Sequence, residues 1–174
     1  MNAARQLALA ADAEARDVIA ALLDRHLAGV PTVRRISARI LTRSPAREGG
    51  NTTAKLAAAL DLPKYALTSG IQRAGGASML ELRDEIVLVR LAYVFGRCDA
   101  TWPLAAEVIG VPYQPLLKRT ISRRRHVAPG RWKIRVRPAI EATHFQAFLK
   151  TNAPAWFAAM RIRATPTPTN TEAT

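Results

Sequence analysis

Hydrophobic positions recur at intervals of three and four residues along most of the chain, which is the spacing of amphipathic α-helices. Towards the two ends of the chain this spacing predicts helices over 3–28, 32–42, 139–150 and 153–163. Gly29 and Pro31 end the first of them. Residues 44–50 are predicted to form a loop, and the Thr- and Pro-rich 164–174 a disordered tail. The pattern therefore predicts an all-α protein.

A long apolar segment over 78–95 occupies the middle of the chain. It opens with a capping box, in which the Ser78 hydroxyl can bond the third amide while Glu81 reaches back. Ile86–Val89 is also typical of a buried strand, and periodicity does not decide between helix and strand. The segment's length and the lack of a second strand-like run favour a helix about 26 Å long, at about 1.5 Å per residue. Because this helix is apolar nearly all round, it must be buried on several sides.

The segments on either side of this helix, 52–73 and 101–125, repeat each other at an offset of about 50 residues. Each is predicted to form a helix, a sharp turn and a second helix. The matched positions are Leu56-Ala57 with Ala105-Ala106, Asp61-Leu62 with Gly110-Val111, Leu67 with Leu117, Ile71 with Ile121, and Gly76 with His126. The small residues Ala57 and Ala106 lie where the two helices of a unit must approach closely. This is the spacing of a helix-turn-helix.

Positive charge is concentrated in the same part of the chain. The formal net charge is +13, from 26 basic and 13 acidic residues. All of the excess lies within 30–137, and Lys118–Arg137 carries nine cations and no acid. A run of this kind is usually a solvated face, but nine cations without an acidic residue among them repel one another. We therefore expect an acidic partner, with nucleic acid first.

Several other kinds of protein are not expected. The single cysteine, Cys98, excludes a disulfide framework and a cysteine-based zinc site. His26, His126 and His144 are scattered, so neither a metal nor a cofactor is expected. An enzyme is not expected, because the chain has no Gly-rich phosphate loop, no paired carboxylates at a useful spacing and no Ser/His/Asp order. No apolar stretch approaches the roughly 18 residues of a membrane span, so a cytoplasmic protein is expected.

Residues 32–137 resemble the DNA-binding domain of the AraC-type (arabinose-regulator) transcription factors. That domain has two helix-turn-helix units joined by one long helix. Its second unit usually reads I-A-x-x-x-G-[FY], then F-x-R-x-F-K, then a proline followed by an aromatic residue and arginine. This chain matches that spacing with Ala105-Ala106, Gly110-Val111, Leu117–Ser122 and Pro129–Lys133.

The first unit of the family usually reads L-A-x-x-x-G-[ML]-S, then L-x-R-x-F, then G-x-S. This chain matches it with Leu56-Ala57, Asp61–Pro63, Leu67–Ile71 and Gly76–Ser78. The departures from the family pattern are aliphatic residues in place of core aromatics, Asp61 and His126 where glycine is common, Ser69 at the usual arginine position, Gly70 within the first recognition helix, and Val87 where arginine is often found.

The resemblance implies which side chains meet DNA. Residues at the family's base-reading positions, or beside them, are Tyr65, Thr68, Ser69 and Gln72 in the first unit, and Tyr113, Gln114, Lys118 and Arg119 in the second. Arginine can offer guanine a bidentate fork, and glutamine can do the same for adenine. Phosphate contacts are expected from Lys55, Lys64, Arg73, Arg123, Arg124, Arg125, Arg131 and Lys133. An alternative for Arg119 is an ion pair with Glu107.

The expected function is a sequence-specific transcriptional regulator, an activator as the resemblance implies, that reads two successive major grooves of double-stranded DNA. The expected partners are DNA and either RNA polymerase or a regulatory protein, and the expected location is the cytoplasm, at the nucleoid. No membrane contact and no separate small-molecule effector domain is expected. One alternative is an architectural or accessory DNA-binding protein of a mobile element, with weak sequence preference. Another is a basic adaptor for RNA or an acidic protein.

The expected organisation has four parts. They are an N-terminal amphipathic helix over 1–30, the tandem helix-turn-helix domain over 31–137, a C-terminal helical extension over 138–163 and the tail over 164–174. The N-terminal helix is expected either to pack on the domain or to bind a protein partner.

Overall fold

A computed structural model describes residues 3–27, 32–43, 53–73, 79–111, 114–136 and 138–152. These residues form helices joined by turns, and no strand occurs among them. The helices are α1 (Ala3–His26), α2 (Thr32–Arg43), α3 (Thr53–Ala59), α4 (Lys64–Arg73), α5 (Met79–Arg97), α6 (Trp102–Ile109), α7 (Gln114–Arg125), α8 (Pro129–Arg135) and α9 (Pro138–Asn152). The all-α prediction is confirmed, and the apolar segment that could have been a strand is the helix α5.

Helix boundaries follow the local chemistry of the sequence. α6 begins after Thr101, whose Oγ1 accepts a hydrogen bond of 3.4 Å from the Leu104 amide, and Pro103 lies in its first turn. Both features satisfy a helix N-terminus, where backbone amides have no partner within the helix. α6 ends at Gly110, whose φ of 76° is in the left-handed region that favours glycine.

α8 is a helix that the hydrophobic pattern did not predict. It is only seven residues long, so its pattern is too short for periodicity to show. Pro129 lies in its first turn, and Trp132 is buried. The predictions of a loop at 44–50, a helix at 153–163 and a tail at 164–174 lie outside the described residues.

α5 is apolar nearly all round because it contributes to two hydrophobic cores. Its residues Leu82, Ile86, Val89 and Tyr93, spaced by four, three and four, pack in a first core with α1, α2, α3, α4 and α9. Its other side contributes Val87, Leu88, Leu91, Ala92 and Val94 to a second core with α6, α7, α8 and the start of α1. The first helix-turn unit thus packs on one side of α5 and the second on the other.

α1 packs along α5, so its apolar stripe is part of the body of the protein. Ala8 and Ala11 belong to the second core, whereas Ala15, Ile19 and Leu23 belong to the first. Of the two alternatives for this helix, the structure shows packing.

A buried ion pair joins α1 to α5 between the two cores. Arg90 Nε and Nη2 donate to Asp12 Oδ1 and Oδ2 at 2.7 and 2.9 Å, and the two side chains are only 2% and 3% exposed. Arg16 Nε also lies 3.3 Å from Asp12 Oδ2. A buried charge is costly unless it is paired and hydrogen-bonded, and this bidentate geometry supplies both.

The end of α5 meets the start of α9 at close range. A Cβ added at Gly96 would lie 2.6 Å from Pro138 Cδ, which real Cβ atoms do not tolerate. The proline ring cannot move aside as a flexible side chain would. Gly96 is therefore needed for this approach.

Candidate nucleic-acid interface

The connection between α3 and α4 is a tight left-handed turn. Asp61 has a φ of 51°, which is uncommon for a non-glycine residue. Its amide donates to Ala58 O at 3.1 Å, and the Leu62 amide donates to Ala57 O at 2.9 Å. These bonds satisfy carbonyls at the end of α3 that have no partner within the helix.

The connection between α6 and α7 has the same construction at its start. Gly110, at φ 76°, corresponds to Asp61, and its amide donates to Glu107 O at 3.1 Å. The Val111 amide donates to Ala106 O at 2.8 Å. The repeat found in the sequence is therefore also a repeat of backbone geometry at these two turns.

Burial at the matched positions agrees as well. Ala57 and Ala106 are both buried, and α3 packs on α4 as α6 packs on α7. Leu67 of α4 is buried in the first core, and Leu117 of α7 is buried in the second. His126, at a position where glycine is common in the family, has a φ of 54° as α7 ends.

α4 exposes part of the set expected to reach bases. Tyr65 is 74% exposed. Thr68 is exposed, and its Oγ1 donates to Lys64 O at 3.0 Å. Ser69 is half-buried, and the side chain of Gln72 lies outside the described residues.

α7 presents Arg119 to solvent. No ion pair involves Arg119 within the described part of the chain, and the alternative partner, Glu107, instead accepts a hydrogen bond of 2.9 Å from Arg5 of α1. Lys118 is half-buried, with Nζ 5.5 Å from the centre of the Trp102 ring. Tyr113 and the side chain of Gln114 lie outside the described residues.

The residues expected to meet phosphates differ in their surroundings. Lys55, Lys64 and Arg131 are exposed. Lys133 is half-buried, because its Nζ donates to Ala100 O at 2.7 Å and lies 4.9 Å from the centre of the Phe95 ring. The side chain of Arg73 lies outside the described residues.

Arg123, Arg124 and Arg125 at the end of α7 have surroundings that the basic run does not indicate. The run lacks acids along the sequence, but these three side chains have carboxylate partners on other helices, which take up part of the charge that was expected to meet phosphates. Arg123 Nη2 lies 2.6 Å from Asp84 Oδ2, and Arg124 bonds both Asp84 and Glu81 at 3.1–3.2 Å. The Arg124 side chain is only 20% exposed.

Arg125 is at the centre of the most buried part of this network. Its Nη1 and Nη2 donate to the two carboxylate oxygens of Glu85 at 2.9 Å, and Nη2 also donates to Glu141 of α9 at 3.1 Å. Burial raises the pKa of Glu85, and Arg125 opposes that rise. Burial by itself lowers the pKa of Arg125, but the two carboxylates outweigh it and the net shift is upward.

The carboxylates of α5 are the structurally important residues that the sequence reading missed. Glu81, Asp84 and Glu85 occur at intervals of one, three and four residues near the start of a helix that otherwise reads as apolar. Acidic side chains at such positions on a buried helix require partners, which is a signal in the sequence for a basic helix nearby.

No group of three or more His, Cys, Asp or Glu side chains suited to a metal ion occurs among the described residues. No helix there combines the length and the low polarity that crossing a membrane requires. The Cys98 thiol donates to Val94 O at 3.0 Å, and burial raises its pKa. The thiol is therefore less nucleophilic than a free one.

Neither models of known protein families, nor curated protein sequences, nor solved structures gave a match to this chain. The resemblance to the AraC-type family therefore stays a prediction from the sequence pattern.

Proposed function

We propose that this protein is a sequence-specific transcriptional regulator that binds double-stranded DNA with α4 and α7 in two successive major grooves. The observation that carries the proposal is the repeated turn, Asp61-Leu62 and Gly110-Val111, which sets a second helix against the first in each unit. The proposal includes activation and a place at the nucleoid in the cytoplasm, both of which come from the resemblance.

The position of α5 between the two units supports the proposal that a single chain reads two grooves, without forming a dimer. One unit packs on each side of α5, which is 19 residues long and so extends about 28 Å at about 1.5 Å per residue. One turn of DNA is roughly 34–36 Å, so a helix of this length suits two helices about one turn apart.

Within the second unit, Arg119 is the best-supported contact to a base. It is exposed on α7 and has no ion pair in the described part of the chain, so its guanidinium fork is available to the O6 and N7 atoms of guanine. The exposed Lys64 at the start of α4 is better suited to a phosphate, because an ammonium group acts as a point charge.

The first experiment is selection of binding sites from random duplexes, followed by measurement of affinity for the selected site and for unrelated DNA. We expect Arg119→Ala to weaken binding to the selected site by about 1–3 kcal/mol and to relax the preference at one base pair. Arg119→Lys keeps the positive charge but loses the two-pronged guanidinium group. Compared with Arg119→Ala, it should therefore restore affinity for unrelated DNA but not the preference at that base pair.

Lys64→Ala is the matched test of a phosphate contact. It should weaken binding to all sequences alike and reduce the slope of log affinity against log salt by about one. Equal losses from Arg119→Ala on selected and unrelated DNA would show that Arg119 contacts a phosphate. No preference for any duplex, or tighter binding to RNA of the same sequence, would reject the proposal.

A second candidate is an architectural or accessory DNA-binding protein. The first unit favours it, because Thr68 and Ser69 are short and neutral and the Thr68 hydroxyl donates to Lys64 O within its own helix. Such a protein would protect DNA uniformly, whereas a regulator would protect one asymmetric site of roughly two helical turns. Nuclease footprinting separates the two.

A further inference from the structure

A cavity of about 500 Å³ lies where the end of α7 meets α8 and α9. This volume is within the range of small-molecule sites, which are roughly 300–1,000 Å³. Three arginines line it, Arg125 from α7 and Arg131 and Arg135 from α8. Neither Arg119 nor any residue of α4 lines this cavity.

The cavity has more positive charge and more hydrogen-bond donors than its own carboxylates use. Glu141, on the wall, and Glu85, behind it, already pair with Arg125. Arg131 and Arg135 are exposed and make no ion pair within the described ranges. The surplus suits an anion, and a guanidinium group binds a carboxylate or phosphate in bidentate geometry.

Apolar side chains form another part of the wall, beside His126 and His144. Trp132 and Val136 are buried side chains of the second core that line the cavity, and Val127 lines it from the loop between α7 and α8. An inorganic ion would leave the exposed apolar surfaces of this wall, among them Val127, in contact with water. A ligand with a flat apolar body would cover them, and apolar walls with a few placed polar groups are typical of small-molecule sites.

We propose that this cavity binds a small organic anion, with a carboxylate or phosphate held by Arg131 and Arg135, and an apolar body against Val127, Trp132 and Val136. The site is separate from the proposed contacts of Arg119 with bases. It can be measured on the full chain without DNA, so it does not depend on the proposed function.

Isothermal titration calorimetry of the full chain with phenyl phosphate and with benzoate tests the proposal and separates phosphate from carboxylate. We expect one saturable site for at least one of the two anions. Inorganic phosphate lacks the apolar body and phenol lacks the charge, so each should bind at least about tenfold more weakly. Absence of saturable binding for both aromatic anions at millimolar concentration would overturn the proposal.

Arg135→Gln is the main variant, because Arg135 has an exposed side chain and is outside the proposed DNA contacts. Arg135→Gln should weaken binding of the aromatic anion about tenfold or more, and Arg131→Gln should do the same. Arg25→Gln removes the same charge from an exposed position on α1, which does not line the cavity, and should leave the affinity unchanged. Equal weakening in all three variants would mean that the anion is attracted only by net charge, and would also overturn the proposal.

Discussion

Arg125 lies between two buried carboxylates, Glu85 and Glu141, and its guanidinium group bonds both of them. Glu85 and Glu141 are 3% and 2% exposed, and the Arg125 side chain is 14% exposed. A lone buried carboxylate is costly, whereas a paired and hydrogen-bonded one is tolerated. The guanidinium group therefore stabilises the fold by giving both buried acids a charged hydrogen-bond partner.

We expect Arg125→Met to lower the free energy of unfolding at neutral pH by about 3–5 kcal/mol, because it leaves buried carboxylates without their partner. The difference in the free energy of unfolding between Arg125→Met and the unchanged protein should become smaller as the pH falls. Glu85 has a folded pKa raised above its ordinary value of 4.5, so its contribution to stability is largest below that value and is lost as the pH rises through the folded pKa. Arg125 lowers the pKa of Glu85, so in the variant the folded pKa of Glu85 rises further. The pH range in which Glu85 stops contributing to stability then lies at higher pH than in the unchanged protein.

Denaturant unfolding of Arg125→Met and of the unchanged protein, at several pH values from about 4.5 upward, checks this prediction. Arg123→Met is the matched control, because Arg123 is 51% exposed and its partner Asp84 keeps Arg124. It should cost about 1 kcal/mol or less. If the free energies of unfolding of Arg125→Met and the unchanged protein differ by the same amount at every pH, Glu85 does not titrate as predicted here.

At the scale of elements, α1 and α5 are joined by one buried and one exposed ion pair. Asp12–Arg90 is enclosed, whereas Glu14–Arg97 joins the same two helices with side chains 44% and 53% exposed. Both pairs cross the same helix interface, so they differ mainly in access to water. Comparing the two pairs therefore shows how much burial adds to the strength of an ion pair.

Single substitutions at the buried pair, Asp12→Ala or Arg90→Met, are expected to cost about 3–5 kcal/mol each, since each leaves a buried charge. The double variant should cost clearly less than the sum, which gives a large coupling energy. The same cycle with Glu14→Ala and Arg97→Met should give a coupling of about 1 kcal/mol or less. Similar coupling energies in the two cycles would show that burial does not strengthen the Asp12–Arg90 pair.

At the scale of the whole molecule, two cores share α5 and α1. A disturbance in one core should reach the other, because the same two helices pack in both. We therefore expect the described helices to unfold in one transition, without a stage in which the first core is lost and the second is kept.

Leu67→Ala tests this, because Leu67 is fully buried in the first core, with no exposed area. It should cost about 2–5 kcal/mol. In a Trp156→Phe background the remaining tryptophans, Trp102 and Trp132, both report on the second core, and far-UV circular dichroism reports on all helices. The two midpoints should coincide and shift together. Leu7→Ala, at a position 60% exposed on α1, should change stability by about 0.5 kcal/mol or less.

An unchanged fluorescence midpoint in Leu67→Ala, alongside a lowered circular dichroism midpoint, would show that the cores unfold separately. Trp156 lies outside the described residues, so its replacement removes a signal that cannot be assigned to either core.

Local sequence signals predicted most of the helices. The helices predicted over 3–28 and 32–42 are observed as α1 (Ala3–His26) and α2 (Thr32–Arg43). These features depend on residues within a few positions of one another, so a linear reading contains the necessary information. α8 was missed because the seven residues from Pro129 to Arg135 are too few to show a period.

The surroundings of the expected phosphate contacts could not be predicted in this way. The run Lys118–Arg137 has no acid along the chain, yet the acids that neutralise Arg123, Arg124 and Arg125 lie about 40 residues earlier on α5 and, for Glu141, later on α9. Which charges meet depends on which helix faces pack together. Arg119 is different, because its position on α7 leaves it exposed.

By itself, the sequence determined the helical class, most helix limits, the repeated unit and the excess of positive charge, because short-range spacing and composition encode them. Only the tertiary structure decided that α5 divides two cores, that Asp12 meets Arg90, and that the three arginines at the end of α7 bond carboxylates on other helices. The physical reason is that charge pairing and burial act between atoms close in space, at distances along the chain that a sequence pattern does not record.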